Sequence, residues 1–270
     1  MTPVNINEKR IVIKVGTSTI TNDNMQIDIR TIDRLSRVLS GIAARGYEVV
    51  LVSSGAIAVG AGKMRFPEKP KELRVKQAAA AVGQCELMHI YDKLFGEYGH
   101  LVGQILLDNS DVDVPERREN LRNTFDALLE NGIIPIVNEN DSVSHQEIET
   151  SKKIFSDNDM LSAIVAVFLG ASKLIILSDI QGLYDKNPSE HADAKLISRV
   201  ETIDDDLLKI AGGSGSNRGT GGMISKLEAA DYATKNGTEM HITFGREPEN
   251  LYRIIDGEDV GTLFVAKQGG

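Results

Sequence analysis

The 270-residue chain has a single cysteine, Cys85, so no internal disulfide can form and the fold rests on a packed core. That usage fits a reducing compartment. Long apolar runs are also missing. The longest stretches, such as Gly132 to Val137 and Ala163 to Leu169, fall well short of the roughly 20 residues that span a bilayer. The first ten residues are polar and carry no apolar signal region, which predicts a soluble, cytoplasmic protein. Excess positive charge is absent as well. Thirty Lys and Arg face 39 Asp and Glu, a net charge of -9. Without a basic footprint, general nucleic-acid binding and membrane-surface attachment lose support. Two common phosphate signatures, G-x-x-x-x-G-K-[ST] and a G-x-G-x-x-G in its proper context, are missing, so any nucleotide must be held by another cradle. No repeat with a period of 20 to 50 residues interrupts the chain.

What is present is an alternation of short β-branched runs with helical patterns, the signature of parallel strands joined by crossover helices. Strands are predicted at Ile11 to Val15, Glu48 to Val52, Leu101 to Leu107, Ile133 to Val137, Lys173 to Leu177, Glu239 to Thr243 and Thr262 to Val265. Helices are predicted at Asp28 to Arg45, Lys71 to Tyr98, Arg117 to Glu130, Asn158 to Phe168, Gly222 to Lys235 and Pro248 to Ile255. The class is α/β. Runs apolar throughout, such as Ile133 to Val137, imply a sheet covered on both faces. Ligands of such sheets sit beyond the carboxyl ends of the strands.

The residues just past those ends are small hydroxyls, glycines and carboxylates: Gly16-Thr17-Ser18-Thr19, Ser53-Ser54-Gly55, Asn138-Glu139-Asn140-Asp141 and Ser178-Asp179. Each has an ordinary alternative. Lys14 could be an outward-facing lysine, or a buried ammonium able to compensate charge on a transferring phosphoryl group. Ser53-Ser54-Gly55 could be a helix cap and tight turn. Asn138 to Asp141 could be a solvated turn. Capping would explain one residue of Asp157-Asn158-Asp159 and leave two over. The glycine-rich Gly212 to Gly222 could be a linker, or could feed a phosphate-binding helix N-terminus, because helix-forming residues begin at once with Met223. Asp23 reads as a turn residue, Pro115 to Asn120 as a solvated helix start, and Cys85 as a small buried hydrophobe. The five histidines show no zinc-ligand spacing with Cys85.

Taken in order, Val12 to Ser18, Leu51 to Ile57, Pro135 to Asp141, Ser156 to Asp159, and Gly219 to Met223 with Lys226 resemble the motifs of the glutamate 5-kinases, a family of amino-acid kinases. The match runs from about Arg10 to the C-terminus. The resemblance implies a three-layer α/β/α sandwich with a mainly parallel central sheet. It implies one kinase domain, 1–270, with a glutamate-binding lobe at 1–170 and an ATP-binding lobe at 171–270. The implied reaction converts ATP and L-glutamate to ADP and L-glutamyl 5-phosphate, the entry to proline biosynthesis, with Mg2+ carried by the ATP. By similarity, Lys14 and Lys226 would flank the phosphoryl group and Asp159 would orient them. Ser54, Gly55, Asp141 and Asn158 would hold the glutamate. Lys14, Gly16, Ser178, Asp179 and the run Thr220, Gly221, Gly222, Met223, Ile224, Ser225 and Lys226 would contact the nucleotide. The family's loop at Ser142 to Phe155, with His145 and Lys152-Lys153, is tied to feedback inhibition by proline. The resemblance also implies a homo-oligomer and functional coupling to glutamate-5-semialdehyde dehydrogenase. The chain stops at Gly270, where many bacterial members continue into a PUA domain. Two other readings stay open: a relative acting on carbamate, aspartate, N-acetylglutamate or UMP, and a non-catalytic sensor on the same fold. Retention of both lysines speaks against the sensor, which needs affinity but no charge compensation in a transition state.

Overall fold

The structure is a computed structural model and describes residues 6–143, 157–211 and 221–267. Its contacts divide the chain into two compact units, one formed by Val15–Asn158 and the other by Met1–Lys14 with Asp159–Gly270.

The continuous unit contains the strands β2 (Glu48–Ser53), β3 (Val102–Leu107) and β4 (Ile134–Glu139), in the order β3-β4-β2. All pairings are parallel, with Leu51 opposite Ile136 and Gln104 opposite the same residue on the other side. Its helices are α1 (Thr17–Ile20), α2 (Ile29–Ala44), α3 (Ala56–Lys63), α4 (Leu73–Glu97), α5 (Asn109–Asp113) and α6 (Pro115–Glu130). The helix α2 forms where the 3.6-residue apolar spacing demands it. Ile32, Leu35, Val38, Leu39 and Ile42 are buried, and the Asp28 carboxylate caps the helix by accepting from the Thr31 backbone N–H at 3.1 Å.

The discontinuous unit contains β1 (Asn7–Val15, through Lys14), β5 (Ala171–Ser178), β6 (Arg199–Val200), β7 (Glu239–Phe244) and β8 (Thr262–Phe264), in the order β1-β5-β7-β8-β6. Lys173 stands opposite Glu239 and Ile175 opposite His241 in the parallel β5–β7 pair, whereas β8 runs antiparallel to β7. Its helices are α7 (Asn158–Leu169, from Asp159), α8 (Asp205–Ala211), α9 (Gly221–Lys235) and α10 (Asn250–Ile255). Every residue of α7 from Leu161 to Leu169 is buried, as are Ile11, Val12 and Ile13 of β1. Among the described residues, no helix is long and apolar enough to cross a membrane.

All seven predicted strands and all six predicted helices form, with ends shifted by a few residues. The structure adds β6, two residues long, and the helices α1, α3, α5 and α8. The sequence Ala-Ile-Ala-Val-Gly-Ala-Gly-Lys of α3 carries glycines that weaken a helix in isolation. Packing explains both. A Cβ on Gly62 would lie 2.4 Å from the Met25 carbonyl oxygen. A Cβ on Gly60 would lie 1.8 Å from the Ala79 carbonyl oxygen of α4, and one on Gly83 of α4 would lie 1.8 Å from the Ala56 carbonyl oxygen of α3. Only glycine at both places lets the two helix backbones meet. Cys85 corrects an expectation: it is exposed on α4 rather than buried. The run Ala78 to Ala81 offers no polar residue to mark which side faces outward, and Ala78 and Ala81 are exposed while Ala79 and Ala80 are buried.

Candidate active site

Lys14 is the penultimate residue of β1, Asp159 is the second residue of α7, and Lys226 lies on the second turn of α9. All three belong to the discontinuous unit and meet on the Asp159 carboxylate. Lys14 Nζ is 2.6 Å from Oδ1 and Lys226 Nζ is 3.0 Å from Oδ2. Lys14 and Asp159 are buried and Lys226 is largely so, with side-chain exposures of 10%, 6% and 12%. Burial works to raise the Asp159 carboxyl, but the two ammonium groups outweigh it and hold the group below the usual carboxylate range. The Ser225 hydroxyl lies 3.3 Å from the same Oδ2, and both Ser225 and Lys226 reach the Gly222 carbonyl at 3.2 Å. The first turns of α9 thus fix the lysine that it carries. Two cations on one carboxylate leave one unit of positive charge uncompensated within this buried group. Such a group attracts anions and stabilises negative charge that develops beside it.

A second cluster belongs to the continuous unit. Asn158 donates from Nδ2 to Ser54 Oγ at 2.7 Å and to Asn138 Oδ1 at 3.3 Å. Asn138 is buried at the end of β4, and its Oδ1 also accepts from the Glu139 backbone N–H at 2.9 Å. Ser54 is buried, with its N–H bonded to the Val15 carbonyl at 3.1 Å. Gly55 follows at φ +98°, in the left-handed region, and caps α3. A side chain there would be strained and would meet Ile20 Cδ1 at 3.2 Å. Asp141 lies half-buried in the turn that leaves β4. The chain passes from one cluster to the other at one peptide bond, Asn158 to Asp159.

The remaining predicted residues are less tightly gathered. Gly16 caps α1 at an ordinary φ of -83°. Ser178, buried at the end of β5, donates to Asp179 Oδ1 at 3.1 Å, and neither residue is hydrogen-bonded to Asp159. Gly221 opens α9, Met223 is buried and Ile224 is 37% exposed, so the glycine run feeds a helix at its described end. Thr220 and the rest of Gly212 to Thr220 lie outside the described residues, as do His145, Lys152 and Lys153. Two residues take roles that the sequence does not assign them. Asn138 belongs to a strand-end motif, and that position is the only local signal it carries. Ser225, expected at the nucleotide, has its described bonds to Asp159 and Gly222. Among the described residues, no group of three or more His, Cys, Asp or Glu could hold a metal ion.

The amino acid kinase family matches residues 9–243. The glutamate 5-kinase of Clostridium perfringens is 55% identical over 261 residues, covering 97% of each chain. That of Listeria innocua is 52% identical over 262 residues, covering 97% of this chain and 95% of the relative. Among solved structures, the isopentenyl phosphate kinase of T. acidophilum aligns with a TM-score of 0.64 at 18% identity, covering 94% of this chain and 99% of the other. The UMP kinase of Bacillus anthracis aligns with a TM-score of 0.64 at 14% identity, covering 96% and 97%. At such identities these two likenesses concern the fold alone. The chain belongs to the amino acid kinase family. Within it, the chain belongs with the glutamate 5-kinases and is an enzyme.

Proposed function

We propose that the protein transfers the γ-phosphoryl group of ATP to the γ-carboxylate of L-glutamate, the step that commits glutamate to proline. The observation that carries this reading is the Lys14–Asp159–Lys226 group. Phosphoryl transfer asks little covalent chemistry of a protein; it asks for alignment and for positive charge on the equatorial and leaving oxygens. Two ammonium groups pinned to one buried carboxylate supply that charge without having to reorganise when the phosphoryl group moves. A lone lysine on a flexible stem would not.

In this reading Lys226 and Lys14 contact the transferring phosphoryl group, and Asp159 spaces them. The backbone N–H groups at Gly16, Gly221 and Gly222 lie against phosphate oxygens, while Ser178, Asp179, Met223, Ile224 and Ser225 line the nucleotide's path. Ser54, Gly55 and Asn158 hold the glutamate's carboxylates by hydrogen bonding, and Asp141 takes its ammonium group. Asn138 orients Asn158. Asp159 is engaged by a lysine on each oxygen, and no metal is assigned to it in this reading. Mg2+ carried on the ATP phosphates would screen their charge. The finer regulatory reading, inhibition by proline acting on the Ser142 to Phe155 loop, rests on the relationship alone. Proline at millimolar levels should depress the rate, and unchanged activity would remove it.

The reaction is tested with ATP, Mg2+ and hydroxylamine, which traps an acyl phosphate as a hydroxamate. L-Glutamate is run beside aspartate, N-acetylglutamate and an acceptor-free control. A glutamate-dependent hydroxamate establishes both reaction and acceptor. ATP binding without product from any acceptor would instead favour a sensor.

A further inference from the structure

Tyr91 lies on α4, one helix removed from the acceptor cluster, and is completely buried. Its ring packs near Phe95, with centroids 6.3 Å apart. A phenylalanine would satisfy that packing, so the hydroxyl needs a separate reason. Burying a hydroxyl is unfavourable unless it is hydrogen-bonded, and this one lies 2.9 Å from Ser53 Oγ. Ser53 is itself 2% exposed, and its hydroxyl donates to the Ser54 carbonyl at 3.3 Å. A serine hydroxyl has one proton. With that proton directed to Ser54, the proton between Tyr91 and Ser53 must come from the tyrosine, and the chain runs Tyr91 O–H to Ser53 O–H to the Ser54 carbonyl. The same helix grips the segment a second time, where Gly83 meets the Ala56 carbonyl. Residues 53–56 are therefore fastened to α4 on both sides of Ser54 and Gly55.

We infer that Tyr91 is a positioning residue for the acceptor carboxylate: through Ser53 it sets the Ser54 backbone, and so the Ser54 hydroxyl that Asn158 engages at 2.7 Å. The inference rests on the reading that Ser54 and Asn158 bind glutamate. Burial pushes the Tyr91 hydroxyl up to about 12, so it remains a protonated donor throughout the range in which a kinase is assayed. Displacing a binding hydroxyl by a fraction of an ångström weakens the ligand it holds while leaving the other reactant untouched.

The test is steady-state kinetics of the whole chain, with glutamate and ATP varied separately, for the unaltered protein, Tyr91→Phe, Ser53→Ala and the double variant. Tyr91→Phe should raise the glutamate KM about tenfold, with the ATP KM and kcat held within about twofold. The double variant should be no worse than the poorer single one, because both substitutions break one chain. A purely structural tyrosine would lower Tm and the active fraction but leave the glutamate KM of the folded enzyme where it was. An unchanged glutamate KM in folded Tyr91→Phe, or independent multiplicative effects of the two substitutions, overturns the inference. Should Tyr91→Phe not fold, Ser53→Ala alone carries the same KM comparison. No glutamate-dependent turnover in the unaltered protein overturns the acceptor reading, and the positioning role with it. Normal turnover with an unmoved KM overturns the positioning role alone.

Discussion

At the scale of single residues, the strongest consequence attaches to the lysines on Asp159. Lys14→Ala and Lys226→Ala should each lower kcat by about two orders of magnitude or more, the loss that follows removal of one preorganised charge stabiliser. A near-normal kcat in either variant would remove that lysine from the chemistry. The sequence makes these residues readable for a local reason: Lys14 ends an apolar run and is followed by glycine and hydroxyls, and Asp159 exceeds what a helix cap requires. Other features are invisible locally. The bond from Asn158 to Asn138 joins residues 20 apart in sequence, and that between Ser53 and Tyr91 joins residues 38 apart. No short window of the sequence contains either pair. The exposure of Cys85 is hidden for a related reason, since the alanine run that precedes it offers no polar side chain to orient that turn.

At the scale of elements, α3 and α4 meet beside Ser54 and Gly55 through a glycine contact that tolerates no added atom. Gly60→Ala places a methyl group 1.8 Å from the backbone oxygen of Ala79, and backbone cannot swing aside as a side chain can. The gain in helix propensity, about 1 kcal/mol, is outweighed by overpacking of about 3 kcal/mol or more. Gly60→Ala should therefore lower Tm by several degrees. Gly96, near the end of α4, has nothing within 4 Å of the place a methyl group would take, so Gly96→Ala should leave Tm level or slightly raised. Equal Tm in the two variants would refute the close-contact account. This contact also explains why α3 escapes a reading by pattern. Strands and long amphipathic helices announce themselves by period, whereas α3 is short, rich in glycine, and held by a partner in the next helix.

At the scale of the whole molecule, pH acts through a buried imidazole. His241 on β7 is 7% exposed, and its Nε2 has no hydrogen-bond partner among the described residues. Burial first, and then the Lys173 ammonium, lower its pKa from 6.5 to about 4, while Glu239 acts the other way. The folded chain therefore keeps the ring neutral where the unfolded chain protonates it. Stability from this group is complete above pH 6.5 and is lost as pH falls toward about 4, by up to about 3 kcal/mol. Urea midpoints at pH 7, 5.5 and 4.5 should decline more steeply for the unaltered chain than for His241→Gln; parallel declines would sink the assignment. A different consequence follows from the way the chain is divided. Val15–Asn158 is one continuous insertion between Met1–Lys14 and Asp159–Gly270. On a ribosome adding about 5–20 residues per second, Lys14 emerges early and must wait on the order of ten seconds for Asp159, and longer for Lys226. For that interval the apolar strand Ile11 to Val15 has none of its β5 neighbours, and side chains that the folded protein buries stand open to other chains.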